Sequence, residues 1–210
     1  MMNKILAALL CIYALTARAE APSEAAFMLQ QQINTPFEVL HPNPLEHAMP
    51  WIRVGIASQR LTLYDADGRE QKSYVISTAK LGAGEQVNSY QTPRGWHRIC
   101  EKIGDGADAN TIIYRRQVTS WHYSPELHAA YPDKDWILAR VLWLCGLEPG
   151  KNQGEGVDSH DRAIYIHGSG EHVTFGSPSS RGCVRMHTND VIDLYQKVAL
   201  GTDVLIDEAR

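Results

Sequence analysis

The chain has 210 residues, 20 Lys+Arg against 24 Asp+Glu, and a formal net charge of −4. That length suits one domain able to bury about 70% of its unfolded surface without help from disulfides. Mild acidity with no basic stripe argues against nucleic-acid binding.

The N-terminus sets the compartment. "MMNKILAALLCIYALTARAEAP" has an early cation at Lys4, an apolar run from Ile5 to about Ala17, and small residues at Ala17 and Ala19. This is the pattern of a secretory signal peptide over residues 1–19, cleaved after Ala19, and the run is too short to span a bilayer. Cys11 follows Leu10 rather than a small residue, which argues against a lipid-anchored cysteine. No later stretch is apolar enough to cross a membrane. The expectation is an exported, periplasmic protein with no stable membrane span after cleavage.

Residues 20–50 read as a lead-in: a short helix capped by Ser23 with apolar Phe27, Met28 and Ile33, then an irregular stretch holding Pro42, Pro44 and Pro50. A single domain is expected over 51–208. From Trp51 the apolar period is two. "DADG" separates strands at Arg60–Tyr64 and Lys72–Ser77, which predicts an antiparallel meander. Pro93 and Gly95 mark a turn, after which Trp96, Arg98 and Cys100 alternate with His97 and Ile99. Residues 104–135 are rich in turns, with one strand at Thr111–Tyr114.

"DKDWILARVLWLCG" is apolar nearly all round and predicts a helix, capped by Asp133 or Asp135 and ended by Gly146. A glycine-rich surface loop follows. "RAIYIHG" is a strand and "VRM" a short extended piece. "TNDVIDLYQKVALG" is a helix with Thr188 as N-cap and a stripe of Val191, Leu194, Tyr195 and Val198; "TDVLID" is a last strand. The sum is a mostly β domain with two helices.

Setting Cys11 aside leaves Cys100, Cys145 and Cys183, an odd number, so at least one thiol is free or pairs between chains. Cys100 and Cys145 either pair with each other or are both buried. Cys183 has the reactive-looking surroundings. A thiol is nucleophilic as thiolate; its pKa of ~8.5 falls to roughly 3.5–7.5 beside cations or a helix start. Arg181 and Arg185 flank Cys183, with a helix just beyond. His167 lies upstream at a strand end, and a loop of that length can bring it to face Cys183 as base. A backbone carbonyl near Gly168 is the candidate for orienting His167. Gly182 permits a sharp turn, so that amides around Cys183 point at one spot where an oxyanion would form. His160, His172 and His187 lie nearby, but the spacings match neither a C-x-x-C ribbon nor an H-E-x-x-H helix, which argues against zinc.

The motif from Tyr165 to Asp190 resembles the YkuD-type L,D-transpeptidase family. That family carries a strand ending in His-Gly, a variable loop, and a Ser/Thr-x-Gly-Cys-(Val/Ile)-Arg-(Met/Leu) run before a helix. Here these are His167-Gly168 and Ser180-Arg181-Gly182-Cys183-Val184-Arg185-Met186. Thr92–Gly95 is similar to the family's upstream Thr-Pro-x-Gly, and the likeness extends over roughly Trp51 to Asp207. Many members have histidine where this chain has Arg181, a change in local electrostatics that leaves the nucleophile in place.

The resemblance implies a β-rich fold of antiparallel strands in a sandwich or barrel, and peptidoglycan stem peptides as substrate. Cys183 would attack the carbonyl of the third stem residue and release the fourth, D-Ala. His167 would carry the proton and the amides of Gly182 and Cys183 would hold the oxyanion. Arg185 and Arg181 are the substrate-binding candidates, and Arg185 either orients substrate or braces the loop. No metal and no cofactor is implied, and carbapenem-type β-lactams are expected to acylate Cys183. An amine acceptor gives a 3→3 cross-link; water makes the protein an L,D-carboxypeptidase. Papain-like and NlpC/P60 hydrolases place cysteine before histidine, against the order here. A sortase has its histidine much farther upstream. The alternative of another class is an inert wall-binding module, against which the presence of both His167 and Cys183 counts.

Overall fold

The structure is a computed structural model, which describes residues 49–208. The expected signal peptide and the short helix after Ser23 lie outside the described residues. Ten strands and two helices follow in order: β1 Trp51–Gly55, β2 Arg60–Tyr64, β3 Glu70–Ser77, β4 Gly95–Ile103, β5 Thr111–Tyr114, β6 Gln117–His122, α1 Pro125–Ala130, β7 Leu138–Gly146, β8 Tyr165–Ser169, β9 Val184–His187, α2 Thr188–Lys197 and β10 Asp203–Asp207.

The predicted meander is present. β1, β2 and β3 pair antiparallel, with Trp51 opposite Tyr64 and their rings stacked at 4.5 Å. Asp65 Oδ1 accepts from the amides of Asp67 and Arg69 and so closes the turn between β2 and β3. The sheet runs β4-β10-β1-β2-β3-β9-β8-β7-β5-β6, and β4 also pairs with β7. That last pairing closes eight strands into a barrel and leaves β5–β6 as an outlying hairpin on β7. Closure removes the exposed edges that an open sheet would present. Cys100 and Cys145 form a disulfide across the seam. Between Ile99 and Glu101 the register slips, which makes Cys100 the bulged residue there.

One predicted element is wrong. Residues 133–146 form no helix; Leu138–Gly146 is β7, the strand between β4 and β8. The apolar character all round has a different cause. Ala139, Leu142 and Leu144 face the main core, whereas Val141 and Trp143 face a second cluster with Ile113 and Tyr165. A strand buried on both faces loses its period of two and reads like a buried helix. The second helix is instead α1, in the segment expected to be turns. Ser124 caps it, its Oγ accepting from the Leu127 amide at 3.2 Å. β6 was also missed, because that edge strand shows no buried alternation. The β5–β6 turn has Arg115 and Arg116 at φ 48° and 65°, the left-handed pair of a tight hairpin.

α2 buries Val191, Leu194 and Tyr195 against the core, as the stripe predicts. It begins at Thr188 rather than after it, with His187 at the N-cap position and no side-chain cap bond, because β9 runs directly into it. Lys102 Nζ donates to the Tyr195 and Val198 carbonyls at 2.8 and 2.7 Å and so satisfies its C-terminus. Among the described residues no helix is long and apolar enough to cross a membrane.

Candidate active site

β8 and β9 lie parallel in the barrel wall, with Ile166 abreast of Val184 and His167 abreast of Arg185. Ile166, Val184 and Met186 point into the main core. By strand alternation His167, Tyr165, Arg185 and the residue before β9, Cys183, share the opposite face. Cys183 and Tyr165 belong to the cluster beneath Ile113, Val141 and Trp143. Sulfur lies 3.4 Å from the Tyr165 amide nitrogen, which donates to it, and 3.4 Å from the Ala163 carbonyl, to which the thiol donates. His167 is the next residue along β8 on that face, about 7 Å beyond Tyr165.

Three contacts shape the turn before Cys183. Gly182 has φ +131°, and a Cβ there would come within 3.0 Å of Ile164 Cδ1. Its carbonyl accepts from Thr92 Oγ1 at 2.9 Å, and Thr92 Oγ1 in turn accepts from the Ala79 amide. The Thr-Pro-Arg-Gly segment therefore pins the turn from 90 residues upstream. Ser180 Oγ donates to the Cys183 carbonyl at 2.5 Å and accepts the Gly182 N–H at 3.2 Å.

His167 is fully buried. Its Nδ1 lies 2.8 Å from the Gly168 carbonyl oxygen, so Nδ1 carries the proton in the neutral ring. Nε2 is buried and has no hydrogen-bond partner. Burial pushes the imidazole below its ordinary pKa and Arg185 adds to this, while Asp135 and the Gly168 carbonyl oppose it. The free nitrogen is thus a lone pair held neutral and kept dry.

The flanking arginines were expected to lower the Cys183 pKa. Burial instead pushes the thiol up to about 12, helped by the Asp135 carboxylate, and the Tyr165 amide, Arg185 and Arg162 oppose this without overcoming it. Arg181 is exposed. Arg185 is buried, pairs with Asp135 at 2.7 Å, and donates to Ser179 Oγ at 3.1 Å. It thereby links Asp135 to Ser179, in the loop before Cys183.

Two open clefts lie at neighbouring elements, and neither is lined by Cys183 or His167. One, of about 580 Å³, lies past the end of β8 and is lined by Tyr123, His128, Ser169, His172 and His187. The His128 and His172 rings stack at 4.1 Å. The other, of about 560 Å³, is lined by Glu101, Arg116, Trp143 and His160. Among the aromatics of this segment, Tyr123 lines the first cleft, Trp136 is core, and Trp121 and Tyr131 are exposed. Among the described residues one group has metal-ligand spacing, Cys100, Cys145 and His160, and its two sulfurs are bonded to each other.

Sequence reasoning missed Asp135. Its signal, an acid in "DKDW", was absorbed by the false helix as a cap. The residue actually leads into β7, whose Leu138 pairs with Gly168, and this carries it to the site.

Comparison with known proteins bears on the whole arrangement. The YkuD family model, described as the L,D-transpeptidase catalytic domain, matches residues 49–206. The "Probable L,D-transpeptidase ErfK/SrfK" of Escherichia coli (strain K12) is 22% identical over 175 residues, covering 83% of this chain and 48% of that protein. The "Putative L,D-transpeptidase YqjB" of Bacillus subtilis (strain 168) is 43% identical over 49 residues, covering 23% and 28%. The structure of Bdellovibrio bacteriovorus Bd1075 matches with a TM-score of 0.50 at 16% identity, over 77% of this chain and 48% of that one, a likeness of fold. This chain spans about half the length, or less, of the curated relatives it matches.

Proposed function

This chain belongs to the YkuD family of L,D-transpeptidase catalytic domains, and we propose that it is an exported cysteine acyltransferase acting on peptidoglycan stem peptides. In this reading residues 1–19 are the signal peptide and 51–208 the catalytic domain, working in the periplasm.

His167 Nε2 takes the Cys183 proton as sulfur turns from the Ala163 carbonyl and attacks the carbonyl of the third stem residue. The Gly168 carbonyl holds the ring in the tautomer this needs. Negative charge forms on the substrate oxygen. The Cys183 amide is our assigned donor, with the Gly182 amide joining as its bond to Ser180 Oγ loosens. The intermediate collapses as His167 returns the proton to the leaving D-Ala amine, which leaves a thioester on Cys183. An acceptor amine from a second stem then resolves it to a 3→3 cross-link. The same thioester is the site expected to be blocked by carbapenem-type β-lactams.

The observation that carries this reading is the buried, unpartnered Nε2 of His167 on the face it shares with Cys183. A thiol with a pKa near 12 gives almost no thiolate unaided, so an adjacent base is what makes it a nucleophile. The test is to incubate the purified protein with a disaccharide-tetrapeptide beside Cys183→Ala and read the products by mass spectrometry. Cross-linked dimer, lost in the variant, is expected. Tripeptide alone would make the protein an L,D-carboxypeptidase. Untouched tetrapeptide would move the reading toward a wall-binding module.

A further inference from the structure

We infer that Asp135 is a positioning residue of this site: its carboxylate, held against Arg185, is the counter-charge for the imidazolium that His167 becomes on taking the Cys183 proton. The inference rests on the catalytic reading of Cys183 and His167 above.

Arg185 stands beside His167 in the β8–β9 register. A buried guanidinium there, alone, would oppose a second positive charge on the ring. Asp135 answers it directly. Oδ1 lies 2.7 Å from Arg185 Nη2, and the two side chains keep only 21% and 11% of their exposure. The placement is imposed by the fold, since Trp136 is core and Leu138 lies abreast of Gly168. A charge pair sheltered from water couples far more strongly to its neighbours than a surface pair does.

The leading charged influences on these groups are the following. His167 feels Asp135 and Arg185. Cys183 feels Asp135, Arg185 and Arg162. Tyr165 titrates under the influence of Arg116, Cys183 and Glu101. His172 feels His128, Arg185 and Asp135. Burial pushes the Asp135 carboxyl up, but Arg185, Arg181 and, once protonated, His167 pull it down by more than burial raises it.

Asp135 therefore acts in opposite senses on the two reacting groups. It favours the proton on His167 and disfavours the thiolate on Cys183. Removing its charge should make sulfur easier to ionise and make the base worse. A residue that merely held the loop in place would not split the two effects.

The experiment uses the pH dependence of Cys183 alkylation by iodoacetamide, beside acyl transfer from the tetrapeptide. Iodoacetamide needs no peptidoglycan chemistry, so the first readout stands even where the second fails. In Asp135→Asn the alkylation midpoint should fall by about one pH unit, with alkylation at pH 7 about tenfold faster, while acyl transfer drops roughly 10- to 100-fold. Asp135→Glu should restore both. Where Asp135→Asn does not fold, Asp135→Asn in an Arg185→Gln background lacks the unpaired cation; against Arg185→Gln alone it should show the same acid shift. An unchanged alkylation midpoint, or alkylation and acyl transfer falling together, would overturn the role of Asp135. Wild-type protein inert toward tetrapeptide would instead sink the proposed reaction, and the alkylation profile would still decide for or against the Asp135 coupling.

Discussion

At the β4–β7 seam, Cys100 and Cys145 are both partly buried and are bonded to each other, with Cα atoms 5.9 Å apart. At the head of β9, Cys183 is also partly buried but stays a free thiol, hydrogen-bonded to backbone. Burial is alike in both places, so it does not separate the bonded sulfurs from the free one. The neighbours do. The seam sulfurs sit across an antiparallel pair where a bulge brings them within bonding reach. Cys183 follows a glycine turn and shares its strand face with a fully buried histidine, one of whose nitrogens has no hydrogen-bond partner. One region ties the barrel together, and in the proposed reading the other gives up ordinary thiol acidity so that a base can control it.

The two regions should separate under mutation. Cys183→Ala should lower acyl transfer by at least ~10⁴-fold. The same change should move the melting temperature by no more than about 3 °C, since only one partly buried sulfur is lost. Replacing both Cys100 and Cys145 by serine should do the reverse. The bridge closes a loop with a sequence separation of 45, so its loss should cost about 4 kcal/mol in denaturant titration. Activity per folded molecule should persist. Activity lost with the seam sulfurs, at unchanged stability, would erase the distinction.

A third test sharpens the comparison through protonation. His97 on β4 is fully buried, its Nε2 2.9 Å from Ser159 Oγ, and burial lowers its pKa to about 4. The unfolded chain takes up this proton near pH 6.5, while the folded chain resists until about pH 4. Stability is therefore full above about pH 6.5 and is lost as pH falls toward 4, by roughly 3 kcal/mol from this group. His97→Gln should flatten that slope in a pH series of unfolding curves.

The smallest expected effect is at the turn. Gly182→Ala places a Cβ 3.0 Å from Ile164 Cδ1 at φ +131°. It should cost about 2 kcal/mol and should slow acyl transfer by more than that loss of folded protein explains. A variant as active and stable as wild type would show that the turn does not set the nucleophile.

The legible parts of this molecule are the local ones. Gly182, Cys183 and Arg185 lie within a few residues of one another, so the local sequence together with the family resemblance proposed them. His167 was marked by the His-Gly pair expected at a strand end, although it lies in the middle of β8. The β2–β3 turn and the α2 stripe follow from period and turn chemistry. What stayed hidden depends on partners distant in sequence. β7 lost its alternation because two different clusters cover its two faces, and that one error hid both the strand and Asp135. β6 is exposed along its length and carries no pattern to read. The Cys100–Cys145 pair was left open by counting and becomes clear only once β4 and β7 are neighbours.

The central claim is that Cys183 forms a thioester under the control of His167. The most direct measurement is intact-protein mass spectrometry with peptide mapping, taken within seconds of mixing with tetrapeptide substrate, for wild type and His167→Gln. The account predicts an acyl adduct on Cys183 whose formation slows ~10²- to 10⁴-fold in the variant. An adduct on another residue, or undiminished acylation without His167, would contradict it.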